Sequence, residues 1–256
     1  MDPKDAVRRE PAVAVVMTCR ERLPFTRLTL PLAVAHAGMA ADWYVIDDGS
    51  TDGTGAWLDD NARKLRIEVA HNPKPLGVGP IRNMGFRWAI ALGADVVINL
   101  DNDDLVPLNW LRDFVAAFWH SRYSICMAYR PNNATLVRVV QEAAGNTRRL
   151  PRDAFVEVER CGGACVAHRV SMIRDGVWYD ANRPPFEGTD SSFNGLARRK
   201  GYLIGVYCGV QVFDLEQIYH CSPEYERQKA EVRHVAMNKG PDIDRAYPQA
   251  RRGTLE

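Results

Sequence analysis

The residues best suited to chemistry form a short acidic run, Asp101-Asn102-Asp103-Asp104, directly after the apolar stretch 96–100. Its three carboxylates repel one another unless a cation or a basic group neutralises them. Hard divalent ions such as Mn²⁺ and Mg²⁺ prefer carboxylate oxygens together with phosphate oxygens of a substrate. The alternative is a solvated acidic turn that begins the next helix, because aspartate is favoured at helix N-termini. The position at the end of a fully apolar strand favours a metal site.

A second acidic segment, Asp47 to Thr54, follows the strand-like residues 43–46. Its aspartates, glycines and hydroxyl side chains are typical of a loop that joins a strand to a helix. The same aspartates are also suited to accept hydrogen bonds from the uncharged donors of a nucleotide base or ribose. Composition by itself leaves both interpretations open.

Alternating strands and helices predict where these two segments lie. Apolar and β-branched patterns predict strands over 12–18, 43–46, 65–70 and 96–100. Helical patterns cover 25–37 with a kink at Pro31, a helix after Thr54, and the ranges 79–92 and 108–119. This alternation implies βαβ units and an α/β fold with a mainly parallel sheet. Such sheets bind ligands beyond the carboxyl ends of their strands, so Thr18 and both acidic segments are expected at one edge.

The second half of the chain has a looser pattern. Residues 131–151 predict a loop, 155–158 an exposed strand, and Gly162-Gly163 a turn. A helix over 191–200 and short strands over 202–207 and 210–213 follow, with helical potential up to 238 in the charged tail. We see no internal repeat or linker. We therefore expect a single domain over 1–256, with halves at 11–122 and 123–222 and a helical or flexible tail at 223–256.

The composition excludes several classes of protein. A net charge of +1 provides no overall field for binding nucleic acid. No apolar run approaches the ~20 residues that span a bilayer, and the first residues lack the apolar core of a secretory signal. The six cysteines show no zinc-site spacing and indicate free thiols in a reducing compartment. We expect a cytoplasmic location, to which peripheral association with the inner face of a membrane is an alternative.

Taken together, the motifs resemble those of family 2 glycosyltransferases, which have the GT-A fold. The resemblance extends over roughly 12–220 and rests on the order and spacing of four stretches. These are Asp-Asp-Gly-Ser-Thr-Asp-Gly-Thr at 47–54, Leu-Gly-Val-Gly at 76–79, Arg-Asn-Met-Gly at 82–85 and Leu-Asp-Asn-Asp-Asp at 100–104. The fold implied is a Rossmann-like, mainly parallel sheet flanked by helices, with a smaller region on the acceptor side.

The resemblance also implies roles for individual residues. Thr18 and Asp48 would contact the base, Arg82 would lie near the base or diphosphate, and Asp101 would face ribose or sugar. Asp103 would hold Mn²⁺ or Mg²⁺, with Asp101 beside it and His220 as a further ligand. The whole set expected on the donor side is Thr18, Arg20, Asp47, Asp48, Gly77, Arg82, Asn83, Asp101, Asn102 and Gly163.

The acceptor side differs from the family pattern. Relatives carry a Glu-Asp pair before a helix that ends in Gly-Tyr, and counting back from Gly201-Tyr202 places Asp190 at the position of the general base. Thr189 stands where the glutamate is usual, so Glu187 is the second candidate for the base. A third interpretation makes Asp190 the N-cap of the following helix.

The function that the resemblance implies is inverting sugar transfer from a nucleoside diphosphate sugar, with a UDP-sugar as the expected donor. The acceptor stays open among glycans, lipid-linked compounds, proteins and small molecules. A non-catalytic nucleotide- or glycan-binding module is one alternative. A sugar nucleotidyltransferase is the other, although residues 17–22 after the first strand lack the glycines of a phosphate loop.

Overall fold

The computed structural model describes residues 10–145, 153–182 and 188–217. The strands are β1 (Val13–Cys19), β2 (Asp42–Asp47), β3 (Glu68–His71), β4 (Val96–Asp101), β5 (Asp104–Leu105), β6 (Ile125–Tyr129), β7 (Phe155–Glu157), β8 (Val166–Arg169), β9 (Ile204–Gln211) and β10 (Phe213–Asp214). The helices are α1 (Leu23–Ala35), α2 (Thr54–Leu65), α3 (Val78–Ala91), α4 (Trp110–Trp119), α5 (Ala134–Ala143), α6 (Val170–Arg174) and α7 (Thr189–Arg199).

Eight strands form one sheet in the order β3-β2-β1-β4-β8-β6-β9-β7. The first four are parallel, and their register places Thr18 opposite both Ile46 and Asp101. The carboxyl ends of β1, β2 and β4 therefore meet at one edge. The predicted α/β fold with a mainly parallel sheet is confirmed, as is the shared edge.

Each face of the sheet has its own hydrophobic core. Side chains alternate along β1, so Val15 belongs to the core that includes Leu30 of α1 and Trp110 of α4. Val16 belongs to the opposite core, which includes Phe86 of α3. The continuous burial of β1 explains its uninterrupted apolar sequence, because a central parallel strand has no face in water.

The acceptor half joins the same sheet through an antiparallel strand. β8 lies between β4 and β6 and runs antiparallel to both, whereas β9 is parallel to β6. A separate two-stranded sheet pairs β10 with β5, so Asp214 lies opposite Asp104 in the acidic run. The chain after β9 is thus brought back to the strand edge that carries the acidic segments.

Several predicted elements differ from the observed ones. The loop predicted at 131–151 is wrong in part, because α5 occupies it; the Asn133 side chain caps this helix by accepting a hydrogen bond from the Leu136 backbone. The strand predicted from residue 65 begins at Glu68, since α2 continues to Leu65 and ends in left-handed Arg66. The two strands predicted at 202–207 and 210–213 are mainly the single strand β9, followed by β10.

Other predictions fall outside the described residues. Glu187, His220 and the tail at 223–256 are among them. Within the described ranges, no helix is long and apolar enough to cross a membrane.

Gly85 permits α3 to approach β1 closely. A Cβ at this position would lie 2.6 and 2.9 Å from the two methyl carbons of Val16. We expect Gly85→Ala to lower the free energy of unfolding by about 1–3 kcal/mol, because both neighbours are core elements that cannot move apart without strain. The measurement is chemical denaturation.

Gly195 of α7 provides the matched control. A Cβ there would have only Arg199 Nη1 within 4 Å, at 3.4 Å, and that atom belongs to a flexible side chain. Gly195→Ala should leave the stability unchanged or raise it by up to about 1 kcal/mol, the usual helix preference of alanine over glycine. Equal losses in both variants would contradict the packing argument.

Candidate functional site

The acidic run lies where β4 ends, and its three carboxylates have different surroundings. Asp101 is the last residue of β4 and has a side chain that is 29% exposed. Asp103 is nearly buried, and Asp104 is fully buried at the start of β5. A turn between β4 and β5 causes this divergence, because it sends successive side chains in different directions.

Asp104 anchors the run rather than facing a ligand. It forms an ion pair with the buried Arg130 at the end of β6 and accepts a 3.2 Å hydrogen bond from the Asp101 backbone. Arg130 also lies 3.5 Å from Asp214 of β10. Burial opposes the charge of Arg130, but Asp104 and Asp214 raise the pKa of its guanidinium above the usual value.

Asp103 is paired with an arginine that sequence reasoning did not select. Arg22, just before α1, places Nη1 2.8 Å from Asp103 Oδ2 and 3.2 Å from Glu216 Oε2. The need for a neutralising group near the acidic run is readable from the sequence, but which of the 33 basic residues supplies it is not.

Arg82 joins the donor and acceptor sides of the site. This buried residue of α3 places Nη1 2.5 Å from Asp190 Oδ1 and Nη2 3.6 Å from Asp101 Oδ1. Burial opposes its charge, whereas Asp190 and Asp101 raise the pKa of the guanidinium. The pKa of Asp101 is raised by burial; Arg82 acts against this rise and neighbouring Asp103 adds to it. A single arginine therefore bridges two candidate functional carboxylates.

Asp190 does not act as the N-cap that one interpretation of the sequence required. The cap position of α7 is Gly188, and no side chain caps the helix. Asp190 lies inside the first turn, where the helix dipole stabilises a carboxylate, and it contacts Arg82.

A cavity of about 610 Å³ opens beside these groups. Its lining includes the acidic residues Asp101 and Asp190 and the arginines Arg82, Arg130, Arg138 and Arg160. The volume is in the range typical of sites for small molecules and cofactors. The cavity therefore combines carboxylates, which accept hydrogen bonds, with guanidinium groups, which are suited to bind phosphate.

Gly163 is the residue that gives Arg82 its room. The turn at 161–164 lies so close to the guanidinium that a Cβ on Gly163 would overlap it. Asn194 of α7 holds the turn through a 2.7 Å hydrogen bond from Nδ2 to the Cys161 carbonyl. Gly163, which was predicted on the donor side, thus leaves the space that the guanidinium of Arg82 occupies.

The second acidic segment organises loops at the same edge. Asp48 is buried and accepts hydrogen bonds from Asn72 Nδ2 at 2.8 Å and from the backbones of Leu76 and Gly77 at 2.8 and 3.0 Å. Asp47 accepts a bond from the Ser50 backbone and contacts His71, both at 3.1 Å. The segment is therefore a loop that joins β2 to α2, and contact of Asp47 or Asp48 with a base stays a prediction.

Two predicted donor-side asparagines have structural partners. Asn83 and Tyr179 exchange two hydrogen bonds, of 2.9 and 3.1 Å, which join α3 to the acceptor half. Asn102 is fully buried and donates to Thr26 Oγ1 at 2.8 Å, so its side chain faces α1. Thr18 and Arg20 are partly exposed at the end of β1, where their predicted nucleotide contacts stay predictions.

The strand edge has the ligand chemistry of a divalent metal site. Among the described residues, no group of three or more His, Cys, Asp or Glu side chains converges. Mg²⁺-type ions, however, bind through one or two carboxylates completed by water and substrate phosphates. Arg22 already places a cationic group on Asp103 Oδ2, so positive charge is favoured at that position. Asp103 and Asp101 therefore fit a metal ion, and His220 lies outside the described residues.

The fold and the site together define an α/β protein of the GT-A type, with carboxylates and arginines around one cavity at the strand ends. The chain belongs to glycosyl transferase family 2, because residues 14–176, more than half of its length, match that family. This membership supports the expected enzyme class, that of a glycosyltransferase.

Two relatives match shorter segments of the chain. An undecaprenyl-phosphate mannosyltransferase of Micrococcus luteus is 38% identical over 84 residues, which are 32% of this chain and 33% of that protein. A polyprenol monophosphomannose synthase of Mycolicibacterium smegmatis is 33% identical over 107 residues, which are 40% of this chain and 38% of that protein. The matched segments thus span only about a third of these relatives.

A solved structure confirms the GT-A fold. The mannosyltransferase PcManGT of Pyrobaculum calidifontis, determined in complex with GDP-Man and Mn²⁺, superimposes with a TM-score of 0.65 at 15% identity. The alignment covers 91% of this chain and 66% of that one.

The contact between Gly163 and Arg82 can be tested directly. Gly163→Ala should displace the guanidinium from Asp190 and lower kcat/KM by roughly 10²-fold, since small displacements of positioning groups have effects of this size. The measurement is steady-state kinetics of sugar transfer, with the melting temperature recorded for each variant.

The neighbouring glycine is the control. A Cβ on Gly162 would point into open space, so Gly162→Ala should retain activity close to that of the unaltered protein. Comparable kcat/KM values in the two variants would contradict the role assigned to Gly163.

Proposed function

We propose that this glycosyltransferase moves a sugar from a nucleoside diphosphate sugar to an acceptor hydroxyl or phosphate oxygen with inversion at the anomeric carbon. The observation that carries the proposal is the bridge made by Arg82 between Asp101 and Asp190 at the cavity. It holds a donor-side carboxylate and a candidate base close together at one cavity, where a donor and an acceptor could meet.

A divalent ion held by Asp103 and Asp101 would supply Lewis-acid neutralisation of the leaving diphosphate. The chain itself contributes a second source of positive charge. The guanidinium of Arg82 lines the cavity and is buried, so it would provide a charged donor beside the diphosphate. Stabilisation of charge by such preorganised donors is commonly the largest contribution to enzymatic rate.

Asp190 is the proposed general base. Arg82 contacts its Oδ1 at 2.5 Å, and this contact sets the orientation of the carboxylate toward the cavity. Oδ2 is then the atom that accepts the proton of an acceptor hydroxyl, as the acceptor oxygen attacks the sugar. Where the acceptor oxygen is an ionised phosphate, no proton need be removed, and Asp190 then orients the acceptor.

The donor is proposed to be a UDP- or GDP-sugar. The family resemblance favours UDP, whereas PcManGT was solved with GDP-Man and both sequence relatives are named for mannose transfer. Asp48 and its loop are the proposed base-side contacts in either case.

The acceptor is proposed to carry a phosphate, and a polyprenyl phosphate is the form supported by the names of the two relatives. Arg138 and Arg160 are exposed residues that line the cavity. Val139 of α5 also lines the cavity, and its partly buried side chain provides an apolar surface there. Such a combination suits an anionic headgroup attached to a hydrocarbon chain.

Substitution of Asp190 and of Asp103 should affect different quantities, the rate of sugar transfer and the affinity for nucleotide. With an acceptor hydroxyl, Asp190→Asn should lower kcat by roughly 10²–10⁴-fold, the range for removal of a general base, and leave nucleotide affinity within a fewfold of normal. Asp103→Asn should mainly weaken Mn²⁺-dependent nucleotide binding. The measurements are release of UDP or GDP from a panel of sugar nucleotides and calorimetric titration of each nucleotide with and without Mn²⁺.

The exposed Asp113 of α4 provides the control, and Asp113→Asn should change neither quantity. Full activity of Asp190→Asn toward an acceptor hydroxyl would refute Asp190 as the base. Nucleotide binding that is equally tight without metal would refute the role of Asp103.

Arginine substitutions test the acceptor class. The double variant Arg138→Gln, Arg160→Gln should raise KM for a short-chain polyprenyl phosphate by roughly tenfold or more, since two charge-assisted contacts are removed. Hydrolysis of the donor without acceptor should stay unchanged. Arg112→Gln, which alters an exposed arginine of α4, is the control, and an unchanged KM in the double variant would be evidence against this acceptor wall.

A further inference from the structure

The segment that leads from β1 into α1 has an unusual backbone. Glu21 and Arg22 are consecutive non-glycine residues with φ of 54° and 67°. Left-handed conformations cost such residues roughly 1–2 kcal/mol each and persist only where the surroundings hold them. Strain of this kind occurs preferentially at functional positions.

Contacts with the loop after β2 hold this conformation. The Glu21 backbone donates to Ser50 Oγ at 2.8 Å, and Glu21 Oε1 accepts from the backbone and hydroxyl of Thr51 at 2.9 and 3.0 Å. The Leu23 backbone donates to Asp52 Oδ2 at 2.7 Å. The residues on both sides of Arg22 are thus fixed to the acidic segment 47–54.

The result is a guanidinium directed at the proposed metal ligand. Arg22 Nη1 lies 2.8 Å from Asp103 Oδ2, and the two side chains are only 13% and 6% exposed. Glu216 Oε2 also lies near this pair, 3.2 Å from the same nitrogen. Water therefore screens the Arg22–Asp103 pair less than it screens an ordinary surface ion pair.

We propose that Arg22 is the resident counter-cation of Asp103 and that a divalent ion binds Asp103 only by displacing it. The inference rests on the proposed function, because it takes Asp103 as a metal ligand. In the free enzyme the guanidinium competes with the metal for Oδ2. A nucleoside diphosphate gives the displaced guanidinium a new anionic partner, so metal and nucleotide bind cooperatively.

This arrangement assigns Arg22 a positioning role in donor binding. It keeps Asp103 neutralised before the donor arrives, and it couples entry of the metal to entry of the diphosphate. By reciprocity of linked binding, the factor by which nucleotide tightens Mn²⁺ binding equals the factor by which Mn²⁺ tightens nucleotide binding. Removal of Arg22 should reduce both factors together.

The test measures Mn²⁺ binding by the electron paramagnetic resonance signal of the free ion, with and without UDP or GDP. Arg22→Asn removes the cation and uses a side chain that tolerates left-handed φ. Without nucleotide, we expect this variant to bind Mn²⁺ roughly tenfold more tightly than the unaltered protein, the size of a lost charge-assisted contact. Its gain in affinity on adding nucleotide should be correspondingly smaller.

Two further variants keep the test decisive. Arg22→Gly also removes the cation and relieves the backbone strain, so it remains folded even if the asparagine variant does not. Arg27→Asn alters an exposed arginine of the same helix and should bind Mn²⁺ like the unaltered protein. A purely structural role for Arg22 would weaken Mn²⁺ binding in its variants, which is the opposite of the expected result.

The outcomes separate this inference from the proposed function. If the unaltered protein binds Mn²⁺ with nucleotide, but the Arg22 variants without nucleotide bind it no more tightly than Arg27→Asn, the inference is overturned and the metal site stands. If none of these proteins binds Mn²⁺ under any condition, both the inference and the proposed metal role are overturned.

Discussion

The structure depends on neutralising three carboxylates that the end of β4 brings together. Each aspartate of the acidic run lies beside one arginine: Arg82 for Asp101, Arg22 for Asp103 and Arg130 for Asp104. Like charges this close would otherwise oppose folding of the strand edge, because burial disfavours each ionised group. Three different parts of the chain supply the guanidiniums, so charge neutralisation also joins those parts.

The three ion pairs have different roles because their exposure to solvent differs. The Arg130–Asp104 pair is buried and linked to β10, and it fixes the end of the acidic run against the acceptor half. Truncating one partner of such a pair leaves the other charge unpaired in the interior, so the loss of either residue is strongly destabilising. The Arg82–Asp101 contact is longer and borders the cavity, where a substrate can exchange with it.

Local patterns made much of the donor half predictable. The apolar runs of β1 and β4 identified central strands, and their polar ends identified the edge at which Thr18 and Asp101 are in register. The family resemblance singled out Asp190 by its distance from Gly201-Tyr202, and Asp190 lines the cavity beside Arg82. The strands and their polar ends follow from residue type and short spacing, which act within a single element.

The acceptor half was less predictable for identifiable reasons. The segment around α5 is rich in polar residues, so it was predicted as a loop. The apolar residues Leu136 and Val140 of α5 are buried only because they pack against other elements. β8 was missed because its strand character depends on insertion between β4 and β6, which are remote in sequence. Long-range pairing decided these elements, and intrinsic preference did not.

The sequence by itself determined the family, the parallel sheet with its ligand edge, and the residue types that carry the chemistry. Only the tertiary structure decided which arginine neutralises which aspartate. Arg22 and Asp103 are 81 residues apart, and Arg82 and Asp190 are 108 apart. Such pairs form because the sheet brings distant strand ends together. The sequence around a charged residue does not indicate which distant residue the fold will place beside it.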